Sequence, residues 1–194
     1  FFEKLQDENV DLIRRDQDHN YWALCRNRLY KVNASGSSHL FSDKEGLPNS
    51  LFVTIFVDSN NSIWIGSEKG LYHFVNQKFI CYDKSNGLSS NMVYSILEKD
   101  QILYIGTSRG IDVIRFSIND SIESIVNFNQ KDGIFGLEFN RSSCMISKNQ
   151  QLYFGNIQGV CVLDPYSLFQ LKKVPEIYKS YITYIELDGK RLFV

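Results

Sequence analysis

Few residues in this chain have chemistry to offer, and they are scattered. Asp58, Glu98 and Asp100 sit at matched places in successive stretches, and paired carboxylates can serve as general acid and base. Each falls in a short polar turn, "DSNNS" or "EKDQ", where an acid bonds nearby backbone amides, so their first reading is structural. Glu138 is different, because with Asn140 and Arg141 it interrupts an otherwise regular pattern, and that marks it for function. Trp22 and Trp64 could stack on the apolar face of a sugar, yet both lie inside a repeated strand, which makes them core spacers. Cys25, Cys81, Cys144 and Cys161 lack CxxC spacing and have apolar neighbours, so they read as buried thiols rather than metal ligands. No Ser–His–Asp order, paired histidines or phosphate-cradling loop stands out, and no metal or cofactor is expected.

The elements that must position these residues repeat. Aligned on an aromatic, the chain gives Trp22, Trp64, Tyr104 and Tyr153, at intervals of 42, 40 and 49 residues. Glycine follows two residues later at Gly66, Gly106 and Gly155, and again at Gly70, Gly110 and Gly159. In the first copy Leu24 stands where that first glycine would be. About twenty residues earlier runs a second signature, starting near Gly46, Gly87 and Gly133, and "ENVDLIRRDQDHNYW" is a worn version of the same unit. Each unit resolves into short strands such as Val93–Leu97, Leu103–Thr107 and Ile111–Phe116, with a looser fourth near "KFICYD" or "IVNFN". Gly70, Gly110 and Gly159 fall where a hairpin needs a positive φ.

"LFVTIFV" and "MVYSIL" are apolar on both faces, which a half-exposed sheet would not be. A small twisted sheet cannot bury two apolar faces alone, so like neighbours must cover it. With no sustained helical stripe between the strands, a parallel α/β fold falls away. The expected fold is all-β: about four four-stranded blades of a β-propeller.

Bulk properties narrow the function. A formal charge of −1 gives no electrostatic footprint for nucleic acid or an acidic membrane surface. No run of about twenty apolar residues is present to span a bilayer. The opening "FFEKLQDENVD" is no secretory signal, and the missing initiator Met points to a piece of a longer chain.

"GLSSNMVYSILEKDQILYIGTSRGIDVIRF" resembles the two-component regulator propeller repeat. Asn91, Val93, Ser95, Ile96, Gly106, Thr107 and Gly110 fill its positions, with Tyr104 in place of the usual Trp. "NSIWIGSEKGLYHF" keeps the Trp as Trp64 and offers Ser67 for the Thr. The last copy resembles the family's closing blade at Glu138–Asn140, Tyr153–Gly155 and Asp164–Pro165. After it, Pro175, Ile182 and the Asp188–Lys190 turn look like the opening strands of an immunoglobulin-like module.

The resemblance implies residues 1–170 as part of a seven-bladed propeller and 171–194 as the start of that module. It implies a periplasmic ectodomain of a hybrid two-component sensor histidine kinase, non-catalytic in this segment, that helps sense an oligosaccharide. Its partners would be the remaining blades, the immunoglobulin-like module and a second protomer. None of His19, His39 or His73 has a helical context fit for phosphotransfer, so the kinase itself is not here. Two alternatives stay open: a glycan-active propeller lyase or hydrolase, and a plain protein-interaction propeller.

Repeated residues build blades, whereas loop residues that differ between copies are free to recognise something. The turn between second and third strands reads "SEKG", "TSRG" and "NIQG", and the loop leading into the first reads "LPNS", "LSSN" and "FGLEFNR". In a propeller both emerge on one face. The candidate ligand-binding residues are therefore Asn49, Glu68, Lys69, Asn91, Arg109, Asn140 and Arg141.

Overall fold

A computed structural model describes Leu5 and residues 8–117, 121–171, 184–187 and 190–193. Strands β1 (Leu12–Arg15), β2 (Tyr21–Cys25), β3 (Arg28–Val32) and β4 (Ser38–Leu40) form the first antiparallel sheet, in chain order. Strands β5 (Phe52–Val57), β6 (Ile63–Ser67), β7 (Leu71–Val75) and β8 (Lys78–Tyr82) form the second. The third holds β9 (Val93–Lys99), β10 (Ile102–Thr107), β11 (Gly110–Phe116) and β12 (Ile122–Phe128). These are three complete blades, and the worn opening unit is one of them.

The fourth blade departs from expectation. It has three strands among the described residues, β13 (Phe139–Ile146), β14 (Leu152–Asn156) and β15 (Gly159–Leu163). The chain then enters a short helix, α1 (Pro165–Leu171), instead of a fourth strand. Asp164 caps that helix by accepting the Tyr166 amide at 3.1 Å and the Ser167 hydroxyl at 2.6 Å. Leu168, buried on α1, packs into the core between the third and fourth blades. Farther on, β16 (Tyr184–Leu187) and β17 (Lys190–Phe193) pair antiparallel. Of the residues that carry the immunoglobulin-like resemblance, Pro175, Ile182, Asp188 and Gly189 lie outside the described residues.

The doubly apolar strands have the expected cause: the cores lie between the sheets. Trp22, Leu24 and Leu29 of the first sheet meet Ile55, Ile65 and Tyr72 of the second. Trp64 and Leu71 meet Val93, Ile96 and Ile105 of the third, and Tyr104 and Val113 meet Phe139, Phe154 and Cys161 of the fourth. Trp22 and Trp64 are each 1% exposed, so both are core spacers, as their place in the repeat predicts.

A further device links the blades. Ser42, Asp83 and Asn129 each cap a single 3-10 turn, at Asp43–Glu45, Lys84–Asn86 and Gln130–Asp132, through a capping box closed by a left-handed glycine. These turns follow the outer strands and swing the chain back toward the axis. "SDKEG", "DKSNG" and "NQKDG" are three spellings of one geometry.

The glycines repeated in the second strands have a packing reason. A Cβ on Gly66 would lie 2.6 Å from both the Thr54 methyl and a Val93 methyl of the next blade. At Gly106 and Gly155 it would collide with the hydroxyls of Ser95 and Ser143. Thr54, Ser95 and Ser143 thus hold one blade position, each on a first strand and each nested over its glycine.

Candidate functional site

The two classes of variable loop do come together at one end of the blades, because backbone bonds bind them there. Glu68 N–H donates to Leu51 O at 3.1 Å, and Ile157 N–H donates to Glu138 O at 3.2 Å, so the second and fourth blades share one frame. In the third blade Ser89 and Thr107 hydroxyls meet at 2.9 Å, and Ser90 and Ser108 at 2.7 Å. The turns themselves are set by a hydroxyl: Ser67 Oγ accepts from Lys69 N–H and donates to Gly70 O, and Thr107 Oγ1 does the same for Arg109 and Gly110.

On this frame the predicted residues have different fates. Asn49, Glu68 and Lys69 form one exposed knot: Lys69 Nζ donates to Asn49 O at 3.0 Å, and Glu68 Oε1 accepts from Leu51 N–H at 3.2 Å. Asn27 of the first blade joins it by donating to Asn49 Oδ1 at 2.6 Å. Asn91 is half-buried and accepts from Lys84 N–H at 3.0 Å, which makes it a tie for the 3-10 turn. Arg109, Asn140 and Arg141 are exposed.

Asn140 and Arg141 belong to a distortion that repeats in milder form in the neighbouring blades. The innermost strands of the second, third and fourth blades break register near their loop ends: between Phe52 and Thr54 in β5, at Tyr94 in β9, and between Phe139 and Cys144 in β13. Such bulges re-aim side chains and cluster beside sites. The β13 bulge is the largest, with Ser142 at φ +50, and it reaches far across the molecule. Ser142 Oγ donates to Thr54 Oγ1 at 3.0 Å, joining the innermost strands of the second and fourth blades.

Beside that bridge Tyr94 donates its hydroxyl to Glu138 Oε1 at 3.2 Å. Burial pushes the Tyr94 phenol above its ordinary range, the Glu138 carboxylate adds to the shift, and Arg141 opposes it. Tyr94, Glu138 and Arg141 therefore form one polar cluster: an acceptor, a phenol held protonated and a cation. Sequence reasoning singled out Glu138 and Arg141 but missed Tyr94. In "MVYSIL", apolar on both faces, nothing sets Tyr94 apart from its neighbours.

At the opposite end, the turn acids do structural work. Asp58 accepts from Asn60 and Ser62 amides at 3.0 and 2.7 Å and from the Trp64 indole at 2.7 Å. Asp16 serves Trp22 in the same way, at 2.8 Å. Glu98 instead reaches into the second blade and accepts from Ser59 N–H and Oγ, at 2.6 Å and 2.5 Å. A groove of about 480 Å³ lies there between Trp64, His73 and Phe116, but both of its carboxylates are already engaged. Among the described residues no three His, Cys, Asp or Glu are grouped to hold a metal ion. All four cysteines are free thiols, three at least partly buried and Cys81 exposed; burial takes Cys25, Cys144 and Cys161 each to a pKa of about 11.

Comparison with known proteins identifies the repeat. Residues 46–69 match the family described as two component regulator propeller. A histidine kinase of Formosa agariphila is 30% identical over 191 aligned residues, covering 70% of this chain and 14% of the relative. The extracellular domain of a hybrid two component system from B. thetaiotaomicron superposes with a TM-score of 0.72 at 17% identity, over 94% of this chain and 26% of that one. Virginiamycin B lyase from Staphylococcus aureus shares the fold at a TM-score of 0.55 and 14% identity, over 82% of this chain and 56% of the lyase. This chain thus spans about a seventh of the kinase it matches and about a quarter of the extracellular domain. Among the described residues no helix is long and apolar enough to cross a membrane.

Proposed function

We propose that these two component regulator propeller blades are part of the extracellular, periplasmic sensor region of a hybrid two component system. In this reading the segment binds rather than transforms its ligand, an oligosaccharide. It passes the signal on as a change of arrangement or dimerisation, with an immunoglobulin-like module at residues 171–194 as the next link. A ligand can shift such an equilibrium only through different affinities for the two arrangements.

One observation carries the reading. Three innermost strands bulge at the same level but with different residues there: a buried Val53, a half-buried Tyr94, and an exposed Asn140 with Arg141. A repeat that is uniform in its core and varied at its loop end is built to recognise. Tyr94, Glu138 and Arg141 supply donors and an acceptor for sugar hydroxyls, and Asn49, Glu68, Lys69 and Arg109 extend that surface outward.

The lyase fold shared at low identity keeps an enzymatic alternative in view. Calorimetric titration of the whole extracellular region with neutral and acidic oligosaccharides, followed by a cleavage assay on the same panel, separates the two. Binding without turnover is expected, with affinity about tenfold weaker in Arg141→Ala, a difference of about 1.4 kcal/mol. Turnover of any glycan that binds, or binding indifferent to Arg141 and Glu138, refutes the proposal.

A further inference from the structure

At the end of the blades away from the variable loops, the gap between neighbouring blades recurs with different charges in it. Between the first and second blades the turn acid Asp16 accepts from the Trp22 indole at 2.8 Å. Lys31, the cross-strand partner of Trp22, sets its Nζ 5.0 Å from the centre of that ring. Burial pushes Asp16 up, but the Trp22 and Asn20 donors and the Lys31 charge bring its pKa below 3.8. Between the third and fourth blades the gap is lined by Lys99 and Arg115 as well as by Asp100 and Asp164. In both gaps the protein supplies its own cation.

The gap between the second and third blades is the exception. Asp58 accepts from the Trp64 indole at 2.7 Å, but the cross-strand partner of Trp64 is His73, whose ring lies flat on the indole at 3.7 Å. A second acid enters as well, because Glu98 pairs with Leu103 on the strand ladder where Val57 pairs with Ile63 one blade earlier. Glu98 and Asp58 both bond to the turn at residues 58–62, so the two carboxylates are neighbours. Their bonds come from neutral donors, and neither makes an ion pair among the described residues. A carboxylate offers about four acceptor positions. Asp58 uses three of its own and Glu98 two. The groove they line, about 480 Å³, has no Lys or Arg among its described lining residues. Trp64, His73 and Phe116 give it an aromatic wall, a surface that attracts cations.

We infer that this groove binds a small organic cation, a primary ammonium head on a short apolar stem, in the place that Lys31 fills one blade earlier. The ammonium sits between Asp58 and Glu98, where its donors meet the acceptor positions still open, and the stem lies along His73 and Phe116. The volume is in the range of small-ligand pockets. Being at the end away from the variable loops, the site is separate from the glycan-binding surface.

The test titrates the whole extracellular region with n-butylammonium, which is the lysine side chain cut free, and with n-butanol as its uncharged match, by saturation-transfer difference NMR. Butylammonium should bind saturably with a Kd of about 1–10 mM, at least about tenfold tighter than butanol. His73→Lys writes the first blade's arrangement into the second and should remove that binding, because its own ammonium fills the site. Glu98→Gln should weaken binding about fivefold or more, by loss of one charge-assisted partner. Melting temperatures check that each variant is folded, and Glu98→Gln decides alone if His73→Lys does not fold. Equal binding of butylammonium and butanol, no saturation below about 50 mM, or an affinity unchanged in Glu98→Gln or in folded His73→Lys overturns the inference. The oligosaccharide titration decides the glycan reading by itself, so the two fall separately.

Discussion

Removing the Asp58 carboxylate tests how the second blade holds its central tryptophan. In Asp58→Ala the Trp64 indole, 1% exposed, loses an acceptor at 2.7 Å, and the Asn60 and Ser62 amides lose theirs. A buried donor left without a partner costs about 1–3 kcal/mol, while turn amides near solvent recover most of their loss through water. The expected destabilisation is about 2–3 kcal/mol, blunted somewhat where the adjoining groove admits water. The decisive quantity is the coupling with Trp64. Trp64→Phe removes the indole N–H but keeps a ring to stack on His73, which lies 3.7 Å from Trp64 and nearly parallel. In that background Asp58→Ala should cost about 1–2 kcal/mol less, in a double-mutant cycle measured by urea unfolding and far-ultraviolet circular dichroism. A coupling below about 0.5 kcal/mol would refute the claim that the turn acid exists for the indole.

Two buried acids should show opposite pH behaviour. Asp112 is fully buried; burial raises its pKa above 3.8 despite bonds from Ser89 and Asn127, so its stabilising contribution is complete below pH 3.8 and is lost as pH rises through the folded value. Wild-type stability relative to Asp112→Asn should therefore fall from pH 4 to pH 7, as read from urea midpoints. At Asp16 burial pushes upward, but the Trp22 and Asn20 donors outweigh it and the pKa is lowered below 3.8. Its contribution is present above pH 3.8 and lost as pH falls through the folded value, so the gap to Asp16→Asn should close in acid. Gly66→Ala should cost about 1–3 kcal/mol by overpacking Thr54 and Val93, visible as a melting temperature lower by several degrees. Of the four thiols only Cys81 is exposed, so a maleimide should label Cys81 first, while Cys25, Cys144 and Cys161 react only on unfolding.

The fold was legible because blades are local. Forty-residue spacing, Trp64 answering Trp22, the hairpin glycines at 70, 110 and 159 and strands apolar on both faces all follow from one need, the covering of small sheets by their siblings. The hairpin glycines take φ of +147, +121 and +145, as turn chemistry requires. The three capping boxes could have been read as well, since Ser42 with Glu45 and Asn129 with Asp132 keep the spacing that a capping box demands.

The site was only half legible. Broken repetition pointed to Glu138, Asn140 and Arg141, but nothing in sequence joins Tyr94 to Glu138 or Ser142 to Thr54, which lies 88 positions away. Those meetings depend on how far each blade rotates about the axis, a quantity summed over whole interfaces and carried by no single residue. Asn91 makes the same point in reverse: it varies like a recognition residue, yet its side chain is spent on the Lys84 amide. Local spacing determined what each blade is, and only the stacking of blades decided which of its loose ends stand side by side.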